Sequence, residues 1–274
     1  MKKILIAFDG TRFSDGAFEF ARQLNELQPM LLTGVFLPQV SYANLWSYTD
    51  AMSVSKYSLA AAGNDTDVLE NNIGKFEELC KRHHINFGVH KDFNDFALPE
   101  LKRETRFADL LIISSERFFE NMGAGSPSEY MKDAIHEAEC PVIVIPENFS
   151  FPRRNVIAYD GSASAVYAMK QFAYVLPELA VNPTLMVHSK DKDDLKLLNH
   201  DYIEELAKQH YKEVSIQELE LNQKKDFNSW LKKEGSPILI CGAFGRSSLS
   251  QLFRKSFVTE VIADHKLPVF IAHQ

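Results

Sequence analysis

Residues Lys3-Ile-Leu-Ile-Ala-Phe-Asp9-Gly10-Thr11 lie near the start of the chain, and Asn155-Val-Ile-Ala-Tyr-Asp160-Gly161-Ser162 repeats their pattern far along it. In both, a short aliphatic run stops at Asp-Gly and a hydroxyl residue follows. Both copies also finish on an apolar run after a proline, Pro141-Val-Ile-Val-Ile and Pro268-Val-Phe-Ile-Ala. Self-similarity on this scale means one architecture used twice.

Between those landmarks each copy alternates strand and helix. In the first, an apolar strand over 4–8 leads to Phe13, Ala17, Phe20, Ala21 and Leu24 at helical spacing. Strands follow at 30–36, 85–89, 109–114 and 142–145, with helices at 68–82, 96–106 and 128–138 between them. The second copy predicts strands at 156–159, 184–188, 213–219, 238–241 and 269–272, with helices at 163–176, 193–210, 227–233 and 257–265. Continuous aliphatic and β-branched runs separated by helices indicate an α/β fold with parallel strands buried on both faces. The 274 residues therefore divide into domains 1–146 and 153–274 across the proline-bracketed linker Pro146-Glu-Asn-Phe-Ser-Phe-Pro152.

The copies differ in length. Asp9 and Asp160 are 151 apart and Pro141 and Pro268 are 127 apart, so the second copy is shorter by 24 residues. The loss falls after the second strand, where the first copy carries residues 37–66 with Tyr42, Trp46, Tyr48, Met52 and Tyr57. Insertions of this length serve function or cap an edge against the sister domain.

Composition narrows the function. Lys and Arg number 30 against 37 Asp and Glu, a net charge of −7, which argues against nonspecific nucleic-acid binding. The start, Met1-Lys2-Lys3-Ile-Leu-Ile, imitates a signal peptide but reaches Asp9 and Arg12 too early for an apolar core. No apolar run approaches the ~20 residues of a membrane helix. Cys80, Cys140 and Cys241 are scattered singly, as in a reducing compartment. A cytoplasmic protein is expected, with no membrane partner.

Two motifs could carry chemistry. Asp-Gly-Ser/Thr after a first strand puts a carboxylate at the ligand edge of a doubly wound sheet, where it can accept from ribose hydroxyls. The same residues also make a plain turn, with Thr11, Ser14, Ser162 or Ser164 capping the next helix. The second motif is Gly242-Ala-Phe-Gly245-Arg246-Ser247-Ser248, with Lys255-Ser256 opening the following helix. Glycines there give a phosphate access to backbone N–H groups, and the helix start adds a favourable dipole. Removing the offset of 127 puts Ser115 opposite Gly242, Phe118 opposite Gly245 and Glu129 opposite Ser256, so the first copy's cradle is vacant or remodelled. His83-His84 at a helix end has no partner ligands at metal-binding spacing. His188 ends a strand on the ligand side, and no nucleophile–base pair is readable. No catalytic or metal residue is assigned.

These stretches resemble the universal stress protein family in tandem form, over nearly the whole chain. The family signature is Gly-x-x-Gly, nine residues, then Gly-Ser/Thr. Gly242, Gly245 and Ser256 match it at that spacing, and Lys255 replaces the last glycine. That lysine either strengthens phosphate binding by charge or obstructs the cradle. The resemblance implies two five-stranded sheets of order 3-2-1-4-5. It implies an intrachain pseudo-dimer through Val142–Ile145 and Val269–Ala272, and leaves room for a further homodimer. It also implies a stress-response role and ATP or another adenine nucleotide, with or without Mg²⁺, in the second domain. Asp160, Val187 and His188 fall on the adenine side and Gly242, Gly245, Arg246, Lys255 and Ser256 on the phosphate side, with hydrolysis slow or absent. The alternative is an interaction scaffold that binds no nucleotide. The loops of adenylate-forming and pyrophosphatase enzymes on related sheets, Ser-Gly-Gly-x-Asp-Ser and His-x-Gly-His, are missing.

Overall fold

A computed structural model describes residues 1–37, 63–91, 97–119, 127–189, 200–219, 231, 235–242 and 261–273. The first half runs β1 (Lys3–Phe8), α1 (Asp15–Leu27), β2 (Leu31–Phe36), α2 (Gly63–Arg82), β3 (Asn86–His90), α3 (Ala97–Thr105), β4 (Leu110–Ser114), α4 (Glu129–Glu137) and β5 (Val142–Ile145). The second half runs β6 (Arg154–Tyr159), α5 (Ala163–Val175), α6 (Pro177–Ala180), β7 (Thr184–Ser189), α7 (His200–His210), β8 (Val214–Leu219), β9 (Pro237–Gly242) and β10 (Val269–Ala272). Residues 261–263 are helical.

All ten strands form one sheet, in the order β3-β2-β1-β4-β5-β10-β9-β6-β7-β8. Within each half the order is 3-2-1-4-5 and every ladder is parallel. The halves meet edge to edge where β10 pairs antiparallel with β5, Phe270 opposite Ile143. This joint protects two strand edges that would otherwise invite aggregation.

The buried runs explain the layering. Every residue of β4 and β5 is buried, as parallel strands covered on both faces require. One core layer, including Ile6, Phe8, Phe20, Phe76, Phe172 and Phe270, lies under α1, α2, α5 and α7. The opposite layer, including Leu111, Ile135, Leu239 and Ile262, lies under α3, α4 and residues 261–263. Phe8 stacks between Phe13 and Phe36 with ring centroids 4.9 and 4.8 Å away, and Phe76 meets it edge-on. Each layer continues across the β5–β10 joint.

The helix between 163 and 176 stops at Val175, and Pro177 starts a short separate helix, because proline lacks the N–H that continuation needs. The helix expected from 193 is described only from His200. Most of the 37–66 insertion lies outside the described residues, although its last residues belong to α2. Among the described residues no helix is long and apolar enough to cross a membrane.

All three cysteines are buried, and burial pushes each thiol up to about 12, helped by the nearby charge of Glu77, Asp109 or Asp160. Thiol titration with an aromatic disulfide reagent at pH 8 should find none of the three reactive in the native protein. All three should react once denaturant is added.

Candidate functional site

The strand order reverses between β6 and β9, so the carboxyl ends of these neighbours frame the crevice where a doubly wound sheet takes its ligand. Asp160 follows β6 and is exposed. Its Oδ1 accepts from the Ser162 N–H at 2.9 Å, which leaves the other oxygen free of the turn. Gly161 holds a φ of +81°, a conformation that suits glycine. Ser162 then caps α5, its hydroxyl accepting from Ala165 N–H at 3.1 Å. No acidic residue stands in the first turn of α5.

Gly242 ends β9 directly beside this turn. A Cβ there would lie 2.4 Å from the Ser164 carbonyl carbon and 2.6 Å from the Ala165 nitrogen. Only glycine lets β9 pass under the start of α5. In the neighbouring ladder His188 is opposite Tyr159, one residue before Asp160, while the Val187 side chain is buried in the core. Only the Val187 backbone is therefore offered to the crevice. The negative charge at Asp160 is felt nearby, adding to burial in raising the Tyr159 hydroxyl and the Cys241 thiol. The structure thus gathers Asp160, His188 and Gly242 on one edge. Gly245, Arg246, Lys255 and Ser256 lie outside the described residues. Among the described residues no cluster of His, Cys, Asp and Glu is arranged to hold a metal.

The same edge of the first half is built differently. Asp9 is 2% exposed, and its Oδ1 accepts from Thr11 N–H, the Thr11 hydroxyl and Arg12 N–H, each at 3.0 Å. All three bonds fall on one oxygen, within its own turn. The helix also starts later, since Ser14 caps α1 whereas Ser162, the counterpart of Thr11, caps α5. The ladders correct the alignment of the two cradles. Ile6 pairs with Ile112 and its counterpart Ile157 pairs with Ile240, so Ser114, not Ser115, occupies the place of Gly242. A side chain is tolerated there because the first turn that overlies Gly242 is unwound in the first half.

Sequence reading missed the residues that bond across this edge. Glu147, assigned to the linker, sends its carboxylate back to Ser14, Gly16 and Ser114. Ser115 meets His265 of the second half, Oγ to Nδ1 at 2.8 Å. These partners are 133 and 150 residues apart, beyond what local spacing reveals.

Comparison with solved structures agrees with this architecture. A universal stress protein from Archaeoglobus fulgidus DSM 4304 superposes with a TM-score of 0.73 over 100% of this chain and 96% of its own, at 15% identity. The chain has the universal stress protein fold, used twice. Looser alignments include a putative universal stress protein from Pseudomonas aeruginosa UCBPP-PA14, with a TM-score of 0.48 and 10% identity over 100% of this chain and 93% of its own. Another is an Arabidopsis thaliana universal stress protein family protein solved with AMP bound, with a TM-score of 0.32 and 12% identity over 53% of this chain and 91% of its own. No protein-family model matches the sequence, and no curated protein matches it significantly. At this identity the universal stress protein fold is carried by strand order and burial pattern rather than by retained residues.

Proposed function

We propose that this chain is a stress-response protein of the universal stress protein kind that holds one adenine nucleotide, ATP by preference, in its second half. The two units are 1–146 and 153–274, paired as an intrachain pseudo-dimer through β5 and β10. The observation that carries the reading is the contrast at the two switch points. Asp160 is exposed and makes one bond to its own turn, beside a glycine that lets the start of α5 lie directly against the end of β9. Asp9 is buried with one oxygen accepting three bonds from its own turn, and a serine stands at the glycine position.

In this reading Asp160 accepts from the ribose hydroxyls, the Val187 backbone and His188 flank the base, and Gly242, Gly245 and Ser256 present backbone N–H groups to the phosphates. Arg246 and Lys255 add positive charge, with or without Mg²⁺. Hydrolysis is slow or absent in this reading. Isothermal titration of ATP with and without Mg²⁺ tests this, repeated with Gly245→Glu. A carboxylate placed in the cradle repels the phosphates and should remove binding. Unchanged binding in that variant puts the site elsewhere, and no binding in the native chain leaves the scaffold reading.

A further inference from the structure

Glu147 sits in a place built for an anion. Its Oε1 accepts from the hydroxyls of both Ser14 and Ser114, the latter at 2.8 Å, and its Oε2 accepts from Gly16 N–H at 3.3 Å. Both serines are 2% exposed. Neither hydroxyl is free to turn away. Ser14 Oγ already accepts from Ala17 N–H at 3.0 Å, and Ser114 Oγ accepts from the N–H groups of Glu116 and Arg117 at 3.3 and 3.1 Å. With their lone pairs engaged by backbone amides, both protons are directed at one carboxylate oxygen, a charge-assisted arrangement. The site also lies at the start of α1, a 13-residue helix whose dipole favours negative charge.

The carboxylate that fills this place comes from outside the elements that build it. Glu147 follows β5, and its own N–H donates to the Glu116 carboxylate, which fixes the backbone. It borders a cleft of about 700 Å³ lined also by Asp15, Glu19, Asn148 and Lys266, so a small solute can reach it from solvent. Two donors on one oxygen and one on the other suit a planar carboxylate.

We propose that Ser14, Ser114 and the Gly16 amide form a carboxylate-binding site that Glu147 occupies in cis, and that a small exogenous carboxylate takes its place when the Glu147 side chain is removed. The site stands apart from the nucleotide crevice of the second half and does not depend on that reading.

The test is thermal unfolding of Glu147→Ala in sodium formate against sodium chloride at equal ionic strength. The variant should show a gain in Tm that rises with the logarithm of formate concentration, about 3–6 °C when formate exceeds its dissociation constant about tenfold. The native protein, with its site filled, should show none. Adding Ser114→Ala should abolish the gain, and Glu147→Gln, which keeps the site filled, should not respond. Equal responses to formate and chloride in Glu147→Ala overturn the proposal, as does a formate response in Glu147→Gln as large as in Glu147→Ala. If Glu147→Ala does not fold alone, its refolding yield in formate against chloride gives the same decision. Inorganic phosphate forms a parallel arm, and a stronger response to phosphate than to formate overturns the carboxylate assignment.

Discussion

Asp160→Ala is expected to weaken ATP binding about 10- to 100-fold, while Asp9→Ala leaves ATP affinity unchanged. A hydrogen bond accepted by a charged group contributes about 1.5–3 kcal/mol, which converts to that range of affinity. Asp160 is exposed and gives one oxygen to its turn, so its removal takes away ligand contacts at little structural cost. The opposite holds for Asp9. It is buried and accepts three bonds from Thr11 and Arg12. Its loss removes the acceptor of two backbone N–H groups and one hydroxyl and should lower unfolding stability by about 2–4 kcal/mol. Isothermal titration and urea unfolding on the two variants check both halves of this result. Equal loss of ATP affinity in both would mean that the two crevices are equivalent.

Phe270→Ala should destabilise the whole chain by about 3–5 kcal/mol, the usual range for deleting a buried phenylalanine. Phe270 is 0% exposed and lies on β10, opposite Ile143 of the first half and parallel to Ile240 of the second. Its ring meets Phe172 of α5 edge-on at 5.1 Å. The cavity therefore opens in a core layer shared by both halves, and the loss should appear as one unfolding transition at lower urea. Two separated transitions, with only the second-half one shifted, would mean that the halves are energetically independent.

Much of the architecture was legible because burial on both faces leaves little freedom in composition. Runs such as Leu110–Ser114 and Val142–Ile145, bounded by turn signals, read as strands covered on both faces. The repeated Asp-Gly likewise fixed both turns, with φ of +78° at Gly10 and +81° at Gly161. The missing glycines of the first cradle were legible, but the difference between the two turns was not, because Asp9-Gly10-Thr11 and Asp160-Gly161-Ser162 look alike. What separates them is Phe13, which stacks on Phe8 and lies under Lys75, so residues 11–13 stay outside the helix while Asp9 holds the amides of Thr11 and Arg12. The counterpart of Phe13 is Ser164, small enough to stay in the first turn of α5 over Gly242.

The slip between Ser114 and Ser115 has a similar origin. Counting back from Pro268 carries a one-residue difference into the stretch between fourth and fifth strands, and only ladder pairing locates it. Glu147 escaped notice for a different reason. A charged residue between two prolines reads as solvated linker, and nothing local indicates that its carboxylate returns to Ser14 and Ser114.

The central claim is that duplication kept the fold in both halves and the nucleotide crevice in one. Native mass spectrometry of the chain saturated with ATP measures this directly. One nucleotide per chain, lost in Asp160→Ala and kept in Asp9→Ala, is the predicted result. Two nucleotides per chain, or one that Asp9→Ala removes, would contradict it.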